Sequence, residues 1–134
     1  MKLAAIRLPL ALPLLALLAS CATATSLPTL EGVPIRSDGL AMIDQPTRVG
    51  DLVVTPKMVI EDSRCPSDVQ CVWAGRVVLT ARLDGAGWRE TVDLKSGEPY
   101  RTHGISVVLI SVQPDKASGA VQPAGQYVFG FEAR

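Results

Sequence analysis

Residues 77–94 repeat one alternation on both sides of a glycine-rich turn, and that pattern narrows the fold more than any other. Val77, Leu79, Ala81 and Leu83 fall on one side of an extended chain, with Val78, Thr80 and Arg82 opposite. Asp84-Gly85-Ala86-Gly87 follows. Trp88, Glu90, Val92 and Leu94 then alternate with Arg89, Thr91 and Asp93. Successive side chains of a strand point to opposite faces, so a period of two marks a half-buried strand. Two such runs around a Gly-rich turn predict an antiparallel hairpin.

The same period recurs through the rest of the chain. Gly39 to Ile43 is a short apolar run before an Asp44-Gln45-Pro46 turn. Leu52 to Thr55 and Met58 to Glu61 are strand-like runs parted by Pro56, which has no N–H for a ladder and marks an edge, a bulge or a break. The longest run reaches from Cys71 to Leu83. Lys95 to Gly104 reads as a polar loop holding His103. Ile105 to Val112 is apolar on both faces, as suits a central strand covered twice. After a loop over Pro114 to Gly125, Tyr127, Phe129 and Phe131 share one face. This predicts an all-β domain over residues 39–134, a small antiparallel β-sandwich or barrel of about seven strands. The expected core is Val54, Val59, Trp73, Val77, Leu79, Val92, Leu94, Val107, Leu109, Phe129 and Phe131.

The N-terminus reads as an address. Lys2 and Arg7 precede an apolar run, Leu8 to Ala19, interrupted by Pro9 and Pro13. Twelve residues of helix span about 18 Å, short of the ~30 Å hydrocarbon layer, so a secretory signal over 1–20 fits and a membrane span does not. Leu18-Ala19-Ser20-Cys21 resembles a bacterial lipobox, which implies lipidation of Cys21 as the first mature residue. Residues 21–38 then form the lipidated cysteine and a flexible tether. Removal of residues 1–20 takes away Lys2 and Arg7 and no acid, leaving 11 basic against 13 acidic residues. A slightly acidic domain gains nothing from anionic headgroups, so attachment to the membrane falls to the lipid anchor. Ala22, not Asp, follows Cys21, which in a Gram-negative host implies the outer membrane by the usual bacterial sorting pattern.

Three cysteines are an odd number for an exported chain. Lipid on Cys21 leaves Cys65 and Cys71, which enclose a five-residue loop holding Pro66 and Asp68 and are expected to form a disulfide. The string Asp62-Ser63-Arg64-Cys65-Pro66 … Cys71-Val72-Trp73-Ala74-Gly75 resembles the hallmark of a family of small, uncharacterised bacterial lipoproteins and secreted proteins. The resemblance runs from about Val49 through Phe131. It implies export, a disulfide and a β domain, and it transfers no catalytic residue. Asp62 and Arg64 flank Ser63 and would share a strand face, where they can pair. Arg64 and Trp73 are the candidate ligand-binding residues, one a planar fork for carboxylates and the other a stacking face. Gly75 suits a bulge or a close approach.

The chemistry available is narrow. Equal numbers of basic and acidic residues, 13 each, leave no surplus to neutralise phosphates, so nucleic acid is not an expected partner. His103 is the single histidine. Ser63, His103 and Asp62 are the residue types of a nucleophilic triad, yet adjacent Asp62 and Ser63 diverge in a strand. No G-x-S-x-G elbow, H-E-x-x-H helix or phosphate-binding glycine loop is present, and no cofactor is implied. Metal ligation by His103 with Met42 or Met58 has nothing to fix the distances. The reading is a non-catalytic binding or structural module of the cell envelope, with an envelope protein or glycan as partner. The alternative is an enzyme or metal-handling protein with a site near Arg64, Trp73 and His103.

Overall fold

A computed structural model describes residues 29, 30 and 32–134. The described residues form ten strands: β1 (Thr29–Leu30), β2 (Val33–Pro34), β3 (Leu40–Ala41), β4 (Thr47–Val49), β5 (Leu52–Asp62), β6 (Val77–Gly85), β7 (Trp88–Lys95), β8 (Pro99–Thr102), β9 (Ile105–Gln113) and β10 (Val128–Ala133). Two antiparallel sheets of four strands each make a small β-sandwich, one ordered β3-β10-β9-β8 and the other β4-β5-β6-β7. The expected hairpin is present in full. Gly85 pairs with Trp88 across a two-residue turn, and Leu79 lies opposite Leu94.

The predicted inward face of β6 is the centre of the core. Val77, Leu79, Ala81 and Leu83 are all fully buried. Leu52 and Val54 from β5, Leu94 from β7, and Val107, Leu109, Phe129 and Phe131 from the facing sheet close around them. Val59 and Val92 pack against this cluster but keep partial exposure. Gly85 lets the Trp88 ring fold back over the turn, for a Cβ there would lie 2.2 Å from the indole.

Three expectations need correction. β6 begins at Val77, so residues 71–76 lie outside the regular strand. Thr47–Val49 and Pro99–Thr102 form edge strands too short to show an alternation. β9 is central in its sheet, as its composition suggested, but only one of its faces meets the core, and Ile110 is 54% exposed. A two-layer sandwich has one interior, so apolar residues on the second face remain at the surface. Within the expected tether over 21–38, Thr29 pairs with Pro34 and Leu30 with Val33. Arg36 then bridges to Thr47, its N–H donating to Pro46 O at 3.0 Å. Pro56 lies within β5 beside a shift of register between Pro56 and Met58. A bulge is one of the ways a strand accommodates a residue with no N–H.

Candidate functional site

The β5–β6 ladder does not stop at the Asp62–Val77 pair. Ser63 N–H donates to Arg76 O at 2.8 Å, and Cys65 N–H donates to Ala74 O at 3.0 Å. These bonds carry the hairpin onward as a two-stranded arm. The disulfide between Cys65 and Cys71 closes its tip, with Cα atoms 5.8 Å apart, inside the range a disulfide spans. Gly75 has φ +67°, and a Cβ at that position would sit 1.7 Å from Ser63 O. Only glycine lets the two sides of the arm come this close. The expected close approach at Gly75 is therefore what the structure has.

The left-handed turn at Gly75 also breaks the alternation running back from Val77. Counting by twos from Val77 puts Trp73 inside. In the structure Trp73 is 81% exposed and Val72 91% exposed. Trp73, expected in the core, is therefore a surface residue, because the arm around it has left the regular strand β6.

Period two does hold on the other side of the arm, where it separates two sets of polar residues. Asp62 and Arg64 form the first. Arg64 Nε and Nη2 donate to the two Asp62 carboxylate oxygens at 2.9 and 2.8 Å, a bidentate pair with both side chains mostly shielded. Arg64 Nη1 donates to Val112 O at 2.9 Å and to Pro114 O at 3.1 Å. The Tyr127 hydroxyl donates to Asp62 Oδ2 at 2.9 Å, and Lys116 Nζ donates to the Asp62 carbonyl at 2.7 Å. This network ties the end of β5 to the end of β9 and the approach to β10. The Arg64 guanidinium, more than any other group, holds the Asp62 carboxyl down at about 2. The same pairing raises Arg64, while burial pushes the Tyr127 phenol up. Every donor nitrogen of the Arg64 fork is engaged with the protein itself.

Glu61, Ser63, Arg76 and Trp73 form the second set, around a shallow recess that Gly75 also lines. Ser63 Oγ donates to Glu61 Oε1 at 2.8 Å, and Arg76 Nε and Nη2 approach Glu61 Oε2 at 3.4 and 3.3 Å. The Ser63 hydroxyl, and then Arg76, lower the Glu61 carboxyl below its ordinary range. Arg64 and Trp73, the two candidate ligand residues, do not share this recess. Its arginine is Arg76, which the sequence reading passed over. The disulfide alone would not have revealed it, because a hairpin with Cys65 opposite Cys71 sets Ser63 opposite Trp73; only the observed pairing of Asp62 with Val77 sets Ser63 beside Arg76.

A second loop braces the tip. Ser67 N–H donates to Lys116 O at 2.8 Å, and Asp68 Oδ1 accepts from the N–H and hydroxyl of Ser118, both at 2.9 Å. Those two bonds lower the Asp68 carboxyl.

His103 lies elsewhere. It stacks on Trp88 with ring centroids 4.0 Å apart, at the turn between β8 and β9. Trp88 pairs with Gly85 at one end of β6, and Asp62 pairs with Val77 at the other. Eight residues of strand separate those ends, about 26 Å. His103 therefore joins neither Asp62 and Ser63 nor Arg64 and Trp73. It lines a separate recess with Arg101, Thr102, Ser106 and Arg134. Among the described residues, no group of three or more His, Cys, Asp or Glu side chains is placed to hold a metal ion. No helix among them is long and apolar enough to cross a membrane. Cys21 and the signal over 1–20 lie outside the described residues. Comparison with protein-family models, curated proteins and solved structures finds no match for this chain.

Proposed function

We propose that the protein is a membrane-anchored, extracytoplasmic lipoprotein whose sandwich is a non-catalytic binding or structural module of the bacterial cell envelope. One observation carries the binding role: a tryptophan that is 81% exposed stands on an arm fastened by a disulfide and by cross-strand hydrogen bonds. An exposed indole on a loose loop would lose much of its binding energy to ordering; held rigid, it keeps it. Tryptophan is also among the residues that dominate binding surfaces.

Export is supported by the disulfide, since such bonds persist outside the reducing cytoplasm. It is supported too by the short apolar run before Leu18-Ala19-Ser20-Cys21 and by the resemblance of the Asp62–Gly75 string to secreted proteins and lipoproteins. Lipid on Cys21 would hold the domain on the membrane surface, and in a Gram-negative host on the outer membrane.

Mass spectrometry of the mature N-terminus tests the anchor. The expected product begins at Cys21 and carries acyl chains, and Cys21→Ala releases the protein from the membrane. An unmodified N-terminus beyond Cys21, or a Cys21→Ala protein still membrane-bound, overturns it.

A further inference from the structure

We infer that the face of the arm bearing Trp73 is a platform for one sugar ring of an uncharged glycan. The inference rests on the binding-module reading and gives that module its ligand class. A pyranose presents an apolar C–H face rimmed by hydroxyls. Its ideal protein counterpart is an aromatic face beside groups that both donate and accept hydrogen bonds. The recess has this composition. Trp73 supplies a solvent-facing indole with an electron-rich π surface. Glu61 supplies acceptors, Arg76 supplies donors, and Ser63 supplies a hydroxyl, all lining the same recess.

The polar pair has capacity to spare. Glu61 and Arg76 are 39% and 48% exposed and meet only at 3.3–3.4 Å. A guanidinium has five N–H donors, and Glu61 engages those of Nε and Nη2. A sugar hydroxyl, donor and acceptor at once, can bridge carboxylate and guanidinium without breaking their contact.

Charge decides between ligand classes. The Glu61 carboxylate and the Arg76 guanidinium sum to zero, and Lys95, the other cation whose charge reaches Glu61, is balanced by Glu98 at 3.8 Å, so the site favours neither an anion nor a cation. That points away from phosphorylated or acidic polymers and toward neutral sugars. A lipid bilayer fits less well. Seating Trp73 and the adjacent, exposed Val72 among acyl chains would carry the Glu61–Arg76 pair out of water, a desolvation that two apolar side chains do not offset. The recess is also open rather than enclosed, which suits a ring within or at the end of a longer chain.

The test uses the intact protein, purified from membranes in a detergent without a sugar headgroup. Neutral tetramers of glucose, mannose and N-acetylglucosamine are titrated against tryptophan fluorescence, with phosphatidylethanolamine–phosphatidylglycerol vesicles as a separate arm. Trp73 and Trp88 are the two indoles in the chain, so Trp73→Phe and Trp73→Ala assign the signal. Isothermal titration measures binding to these variants independently of fluorescence.

The expected result is saturable binding of at least one tetramer with a dissociation constant below about 1 mM. Trp73→Ala should weaken it by about tenfold or more, Trp73→Phe by less, and Arg76→Gln by an intermediate factor. Trp73 is at the surface, so circular dichroism of the alanine variant should match the parent. Three outcomes overturn the inference: no tetramer binds at about 10 mM, binding is unchanged in Trp73→Ala, or vesicles but not sugars shift the Trp73 emission. None of them bears on the lipid anchor, which is read from the mature N-terminus.

Discussion

Asp62→Asn should cost about 2 kcal/mol at neutral pH, and most of that cost should vanish in acid. The structure supplies the size in two ways. The Asp62 carboxyl is lowered from 3.8 to about 2, a shift worth about 2.4 kcal/mol of differential stability. Asp62 and Arg64 are 12% and 18% exposed, so screening removes only part of this, leaving about 2. Independently, hydrogen bonds to a charged group contribute about 1.5–3 kcal/mol, and Asn cannot reproduce the bidentate contact.

The sign follows from the direction of the shift. A lowered carboxyl stabilises the fold above its unfolded value and stops doing so as pH falls through its folded value. With 3.8 unfolded and about 2 folded, about half of the contribution remains at pH 3 and about a sixth at pH 2. Urea unfolding followed by far-ultraviolet circular dichroism, on parent and variant at pH 7, 4, 3 and 2, reads the difference directly. Arg64→Gln and the double variant complete a cycle that isolates the pair. A difference below about 0.5 kcal/mol at pH 7 would refute the reasoning, for it would put the network at the level of an exposed ion pair. So would a difference that stays constant down to pH 2.

Replacing Cys65 and Cys71 together by serine should lower stability by about 2–2.5 kcal/mol, the chain-entropy value for a seven-residue ring. The sandwich should remain, because the Ser63–Arg76 and Cys65–Ala74 backbone bonds persist; chemical denaturation measures the loss, and thiol titration of the parent should find neither cysteine free. Gly75→Ala should cost about 2–4 kcal/mol, since its Cβ meets Ser63 O at 1.7 Å on a backbone already at φ +67°. Gly75→Asn should fare no better in thermal unfolding, because Asn tolerates the left-handed backbone but brings the same Cβ.

Much of the fold was legible because burial and strand geometry share a period. Val77, Leu79, Ala81 and Leu83 announce a buried face with no tertiary information, and Gly85-Ala86-Gly87 places the turn. The Cys65–Cys71 pairing needed only their spacing and the removal of Cys21 from the count. The Asp62–Arg64 contact followed from two residues on one face of an extended segment.

What the sequence left open depends on groups far apart along the chain. Whether the β9 face bearing Ile110 is covered turns on the number of layers, which is a property of the assembled sheets. Trp73 departs from the count by twos, because the chain passes through a positive φ at Gly75, where a Cβ would meet Ser63 O across the arm. The partners of Arg64 are carbonyls of Val112 and Pro114, about fifty residues away, so nothing near Arg64 could reveal that its donors were already engaged. With Arg64 held inward, Arg76 becomes the arginine beside Trp73. Local pattern thus determined the β6–β7 hairpin and the buried face of β6. Only tertiary structure decided which of the exposed ones stand together, because that depends on where the arm ends and what the opposite sheet fastens.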